Sequence, residues 1–571
     1  MAKTTCFIAS SLEKVFPTKR PQALSGQVYA FPNTRAAVQL VYHAESGRQG
    51  GLMQSYFVKV EGAPCEAELS KVELIPSDFP CWEQFMQDED YLTKEPGLFP
   101  DLLSPLKQPE IFPVPRQYRS LWVSFDLPEN TKPGHYEVTI RLIPNQNIVL
   151  GNGAAWKNPD EDETQISASF VLRVGKTVPE AQTLIHTEWF YADCLADHYG
   201  VKVFSEEHWN ILERFIEMAA TRHGVNMLLT PVFTPPLDTA VGTERPTVQL
   251  VGVNCLKGTY SFDFSKLRRW TAICRRCGIS YLEISHLFTQ WGAKATPKIE
   301  VNEDGVMVKK FGWHVSAKSP EYRRFLEAFL PALQAELTDQ GYDRDHVYYH
   351  ISDEPNETQM EDYLAAKKQT EGLLEGCRVM DALSSLEFYR TGAVALPVPS
   401  NDHIQPFFDA GVENLWVYYC CAQGVDVPNR FFAMPSSRNR IMGALMYLYH
   451  IKGFLHWGYN YYYEQYSRGP LNPYAQTHCN FAFPSGDPYL VYPGKSGAPQ
   501  SSIRAEVQNE ALDDLRILQT LEKKIGREAT CALLREVVPE SPWTFKDYPR
   551  GETALLAIRK RIFEALENEM S

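Results

Sequence analysis

The chain has 571 residues, 44% hydrophobic and 22% charged, an ordinary globular composition with enough apolar material for large cores. Its 56 Lys and Arg against 70 Asp and Glu leave a net charge of −14, which repels nucleic acid backbones and excludes that class of partner. No window approaches the ~20 apolar residues of a membrane span, and the opening Met1-Ala2-Lys3-Thr4-Thr5-Cys6-Phe7 lacks the apolar core of a signal peptide.

The first third reads as strands. In 136–142, Tyr136, Val138, Ile140 and Leu142 fall on one face and Glu137, Thr139 and Arg141 on the other, the period of a half-buried strand. Asn130-Thr131-Lys132-Pro133-Gly134 is a turn before it. Further strands are expected at 37–43, 56–61, 67–74, 120–126 and 166–174. Short strands between turns predict an antiparallel β-sandwich over 1–178. Asp160-Glu161-Asp162-Glu163 reads as an exposed loop.

After Pro179 strands alternate with helices. Strands are expected at 183–188, 225–230, 279–286, 346–352, 378–382, 394–397, 414–419 and 453–459. Trp209, Leu212, Phe215, Ile216 and Ala219 mark the apolar face of one helix. Ser319-Pro320-Glu321 caps another, and Thr358 with Glu361 predicts a capping box. Cys274-Arg275-Arg276-Cys277 has CxxC spacing but no second pair to complete a zinc site, so it reads as a helix surface. Adjacent Cys420 and Cys421 are taken as structural. The twelve cysteines are scattered, as suits free thiols in a reducing cytoplasm. A closing helix is expected at 503–524, and Arg559-Lys560-Arg561 reads as a solvated helix face. The predicted fold is α/β plus all-β, a C-terminal (β/α)8 TIM-like barrel over 179–571 behind the sandwich.

Such barrels keep their reactive groups at the C-terminal ends of the strands. Strand four runs through Val347-Tyr348-Tyr349-His350-Ile351 into Ser352-Asp353-Glu354-Pro355. Paired carboxylates are the equipment of glycosidic bond cleavage. The other strand ends supply Trp189, then the segment 234–239, then His286, Gln290 and Trp291, and then Asp381. Strand seven adds Tyr418 and Tyr419; strand eight adds Trp457, Tyr459 and Asn460. With His350 these are the candidate substrate-binding residues: aromatic walls for a sugar's apolar face and fixed polar groups for its hydroxyls.

His350–Pro355, 286–293, 456–460 and Gly486-Asp487-Pro488-Tyr489-Leu490-Val491-Tyr492-Pro493 followed by Ser502-Ile503-Arg504 resemble glycoside hydrolase family 123. The resemblance covers most of the chain. It implies a retaining exo-β-N-acetylgalactosaminidase that uses the substrate's own 2-acetamido oxygen as nucleophile. Asp353 would then orient the acetamido group and Glu354 would act as general acid/base. No cofactor and no metal are expected, and the partner is a terminal N-acetylhexosaminide. The absent export signal favours imported oligosaccharides. Three alternatives stay open: a conventional glycosidase pairing Asp353 or Glu354 with Asp381, a metal-dependent hydrolase built on His286, His350, Asp353 and Asp381, and a sugar-binding protein without turnover. The linkage, the choice of GalNAc or GlcNAc and the oligomeric state are not set by the sequence.

Overall fold

The computed structural model of the chain describes residues 4–45, 55–145, 147–149, 155–157 and 166–568. The acidic run 160–163 and residues 1–3 lie outside the described residues. In the first third, two five-stranded sheets face each other across one core. The first orders Thr4–Ser10, Thr34–Ala44, Tyr118–Leu127, Glu68–Ser77 and Gly97–Pro105; the second orders Val28–Ala30, Ile166–Val174, Gly134–Pro144, Tyr56–Glu61 and Glu110–Ile111. Neighbours are antiparallel except Val28–Ala30, which runs parallel to Ile166–Val174. Val138, Ile140 and Leu142 are buried in alternation and meet Leu40, Leu121 and Val123 of the facing sheet.

All six expected strands are present here. Within these two sheets the four strands that sequence periodicity does not mark, Thr4–Ser10, Val28–Ala30, Gly97–Pro105 and Glu110–Ile111, are all edge strands; the short hairpin Asn147–Val149 with Ala155–Lys157 was not expected either. Edges carry half the pairing and tolerate proline; Gly97–Pro105 contains Pro100 and Pro105.

The rest of the chain builds eight parallel strands, Ile185–Glu188, Met227–Thr230, Tyr281–Ile284, Val347–Tyr349, Arg378–Leu383, Leu396–Pro399, Trp416–Tyr418 and Gly453–His456. They pair in sequence order, with the eighth against the first. A single parallel bridge, Ser400 to Tyr418, spans the gap between sixth and seventh, so the barrel is nearly closed. Strands such as Met227–Thr230 are buried on both faces, as parallel sheets require. The expected strands all appear, most of them shortened by one to three residues at an end. A four-stranded insertion, Thr259–Asp263, Gly252–Leu256, Ile299–Glu303 and Val306–Phe311, was not legible from periodicity.

Helix Glu206–His223 buries Trp209, Leu212, Phe215, Ile216 and Ala219 as expected, and the Ser319 side chain caps Pro320–Asp339. Two expectations are corrected. The capping box after the acid pair is made by Asn356 and Gln359, not Thr358 and Glu361. Arg559 is no solvated residue: it is buried, ion-paired to Asp514 at 2.7 Å and bonded to the Tyr29 carbonyl at 3.1 Å. Helix Ser265–Cys277 carries both cysteines of the CxxC spacing, and these are free thiols. Helix Ile503–Ile525 is capped by Ser502. Its Arg504 forms a buried bidentate pair with Asp101 of the first sheet, both bonds at 2.8 Å, and so ties barrel to sheet across the chain. No helix among the described residues is long and apolar enough to cross a membrane.

Candidate active site

The fourth barrel strand ends at Tyr349, so Asp353 and Glu354 stand on the loop beyond it. That loop is clasped to the one after strand three: Leu287 N–H donates to the His350 carbonyl (3.1 Å), Phe288 N–H to Ile351 (3.0 Å) and Trp291 N–H to Asp353 (3.1 Å). Glu354 itself holds φ = 43° and Trp291 φ = 54°. Left-handed backbone at bulky residues persists where the surroundings over-determine it, a pattern that clusters at functional sites.

One pocket opens here. Its walls are Trp189, Tyr191, Leu237, Asp238, Gln290, Trp291, Asp353, Glu354, Tyr418, Cys420, Cys421, Trp457 and Phe483, with Ala382 and Leu455 beneath. The Tyr418 hydroxyl donates to Glu354 Oε1 at 2.7 Å. Asp238 is fixed by Tyr461 Oη at 2.5 Å and by the Tyr466 amide at 2.9 Å, and its own amide donates to Gln290 Oε1 at 2.6 Å. Among the described residues, Tyr191 Oη and Gln290 Nε2 are buried and find no hydrogen-bond partner. A roomier cleft, about 850 Å³, lies elsewhere, lined mainly by residues between 12 and 22 and between 92 and 99; it holds none of the strand-end acids.

Burial and the neighbouring Glu354 charge push the Asp353 carboxyl well above the usual range. Burial also raises Glu354, against the lowering bond from Tyr418. Two such neighbours titrate as a pair that favours retaining one proton. Behind them runs a buried charge network. His350 Nε2 meets Glu283 Oε1 at 2.6 Å and its Nδ1 meets Asp381 Oδ1 at 3.1 Å. Burial would lower the imidazole, but those two carboxylates overcome it and push it up to about 10. Glu283 also accepts from Trp189 Nε1 (2.7 Å) and Thr187 Oγ1 (2.6 Å), and Asp381 from Tyr363 Oη (2.5 Å). His286 stacks on His350 with centroids 4.1 Å apart at 17°; burial and the His350 charge hold it neutral.

His286, His350 and Asp381 bring one potential metal-ligand atom each within 4.8 Å of one another. Both His350 nitrogens are already hydrogen-bonded, however, and the imidazole planes are near-parallel, so their in-plane lone pairs run alongside each other rather than converge. The arrangement is that of a hydrogen-bonded charge network.

Of the residues selected from the sequence, Trp189, Gln290, Trp291, Asp353, Glu354, Tyr418 and Trp457 line the pocket. His286, His350, Asp381, Tyr419, Tyr459 and Asn460 do not: each is almost wholly buried behind the wall. Asn460 instead clamps the Tyr191 backbone through both its amide atoms (2.9 and 3.0 Å), and Tyr459 packs on Phe190 and bonds His223. Cys420 and Cys421, read as purely structural, are part of the wall. Glu283 is missed by strand-end reasoning because it lies inside a strand; a carboxylate within the apolar run Tyr281–Ile284 was the available signal. Phe483 and Tyr191 carry no such signal.

A model of the glycoside hydrolase 123 catalytic domain matches residues 189–521, a span that begins at the Trp189 wall and contains both acids. The chain belongs to glycoside hydrolase family 123. It is accordingly a glycoside hydrolase, and its substrate is a carbohydrate. A solved family 123 glycoside hydrolase from Clostridium perfringens, studied for glycolipid glycan hydrolysis, has the same fold: TM-score 0.70 at 14% identity, covering 99% of this chain and 98% of that one. A β-glucuronidase from Ruminococcus gnavus aligns over 89% of this chain and 69% of its own at 9% identity, but its TM-score of 0.29 is too low to bear on the fold. No curated protein sequence matches the chain.

Proposed function

We propose that this glycoside hydrolase is a retaining exo-β-N-acetylhexosaminidase, with N-acetylgalactosamine as the terminal sugar, working through an oxazoline formed by the substrate's own acetamido group. The observation that carries the reading is the consecutive pair Asp353-Glu354 on one pocket wall, Asp353 buried and Glu354 half-buried. Consecutive acids are poorly placed to flank an anomeric carbon as nucleophile and acid. Asp381 is sealed behind the wall, bonded to His350, Tyr363 and the Ile351 amide, which weakens the conventional pairing.

In this mechanism the acetamido N–H donates to Asp353. That bond favours the ionised form, as does the nearby imidazolium of His350, so the pair's shared proton settles on Glu354. Glu354 then protonates the departing oxygen while the acetamido oxygen attacks the anomeric carbon. Asp353 offsets the positive charge growing on the oxazolinium. In the second half Glu354 deprotonates water, a step in which the Tyr418 hydroxyl steadies its carboxylate. Trp189, Trp291 and Trp457 supply the apolar walls.

NMR of the first-formed product is the test. Two inversions predict the β-anomer from a 2-acetamido-2-deoxy-β-glycoside and negligible turnover of the 2-hydroxy analogue. An initial α-anomer removes the mechanism; efficient cleavage of the 2-hydroxy glycoside removes the role of Asp353.

A further inference from the structure

Beside the pocket stands an aromatic surface that the catalytic chemistry does not use. Phe481 is 53% exposed. It ends a run of three left-handed non-glycine residues, Cys479 (φ 49°), Asn480 (62°) and Phe481 (62°). Such a run is disfavoured at every step and needs outside support. His478 provides it. Its Nδ1 accepts the Phe481 amide at 2.7 Å, its carbonyl accepts the Ala482 and Phe483 amides at 2.9 and 3.2 Å, and its Nε2 donates to Asp78 at 2.5 Å.

Asp78 follows strand Glu68–Ser77 of the first N-terminal sheet. The same loop carries Phe79 and Trp82, both half-buried, to the barrel mouth. The Phe79 ring lies 6.0 Å from Phe481 and 5.0 Å from Trp82. Trp82 Nε1 donates to the Cys421 carbonyl at 3.2 Å, and the Ser485 amide donates to the Phe79 carbonyl at 3.0 Å. Cys421 and Phe483 are pocket wall, so the surface continues the pocket's rim. The Asp78 carboxylate on this surface is satisfied internally by His478.

We propose that Phe79, Trp82 and Phe481 form a binding site for the aglycone sugar, the neutral residue from which the terminal sugar is cut. The N-terminal sheets then take part in choosing the substrate. Aromatic faces bind the apolar face of a neutral saccharide, and continuity with the pocket places the site on the leaving-group side. This rests on the carbohydrate-cleaving reading above.

Titration calorimetry tests it in a Glu354→Gln background, with a β-linked 2-acetamido-2-deoxyhexosyl disaccharide and the matching methyl glycoside. Adding Phe481→Ala should weaken the disaccharide roughly 5–30-fold, the range of one aromatic contact, and the methyl glycoside far less; Trp82→Ala should act in the same direction. Equal weakening of both ligands, or of neither, overturns the proposal. So does a parent that binds disaccharide no better than methyl glycoside. Failure of the acetamido reading shows differently, as no binding of either ligand by the parent. The same comparison with 2-hydroxy disaccharides then decides the aromatic site.

Discussion

Two carboxyl clusters in this barrel, one with Glu188 buried and one with Asp353 buried beside a half-buried Glu354, are shifted in opposite directions. Glu188 ends the first barrel strand and faces Arg430 in a bidentate pair at 2.7 and 2.9 Å, with Gln508 adding a bond at 2.7 Å. Burial alone would raise it, but the Arg430 charge overcomes burial and holds it far below the usual carboxylate range. Asp353 and Glu354 stand beyond the fourth strand, and among the described residues neither has a lysine or arginine partner. Burial therefore wins, and both are pushed up. The difference separates scaffold from site. Compensated buried charge holds the barrel together, whereas the uncompensated pair carries a cost that the catalytic role proposed for it would account for.

Neutralising one member of each cluster should sharpen that contrast. The largest expected effect is on turnover: Glu354→Gln should lower kcat on natural linkages by about 10²–10⁴-fold, the range of general acid catalysis, and less on aryl glycosides with good leaving groups. Its fold should not suffer. A carboxyl raised on folding holds stability that is fully present below its unfolded pKa and lost as pH rises through the folded one. The Tm of Glu354→Gln relative to wild type should therefore climb as pH rises from acid to neutral. A flat difference would break the comparison.

Glu188→Gln should behave in the opposite way. It leaves Arg430 buried without its counter-charge, at a cost of about 3–5 kcal/mol in urea unfolding. The lowered carboxyl contributes stability above its unfolded pKa, so the deficit should shrink as pH falls toward strong acid. A stable variant with damaged kinetics would move Glu188 to the functional side.

Smaller effects concern the pocket wall. Trp457 is half-buried, donates to Asp487 at 2.9 Å and packs on Tyr461 and Phe483. Trp457→Ala should weaken inhibitor binding by about 1–3 kcal/mol; a sharp fall in Tm instead would make it a packing residue. Tyr418→Phe removes one donor to Glu354, worth about 1 kcal/mol. Because that bond lowers the Glu354 pKa, the alkaline limb of the kcat–pH profile should move to higher pH. A shift to lower pH would contradict the geometry.

The strand positions and the acid pair were legible because both are local signals. Period-two and buried apolar runs extend over a few residues, and an Asp-Glu pair closing such a run reads as a strand-end site. Legibility failed where a side chain's direction mattered. Trp189 and Asn460 were equally good candidates from position, yet one lines the pocket and the other clamps the Tyr191 backbone. It failed also for edge strands, whose half-used pairing leaves weak patterning, and for Cys420 and Cys421, whose neighbours come from distant loops.

By itself the sequence determined the two kinds of architecture, the strand order along the chain and the place of Asp353 and Glu354. Propensity and hydrophobic spacing act over short stretches and need no partner from afar. Only the tertiary structure decided which charges are compensated. Glu188 meets Arg430 across 242 positions, and Asp101 meets Arg504 across 403. Such pairing depends on how the barrel closes and docks on the sheets, and it is the lack of any such partner that sets the acid pair apart.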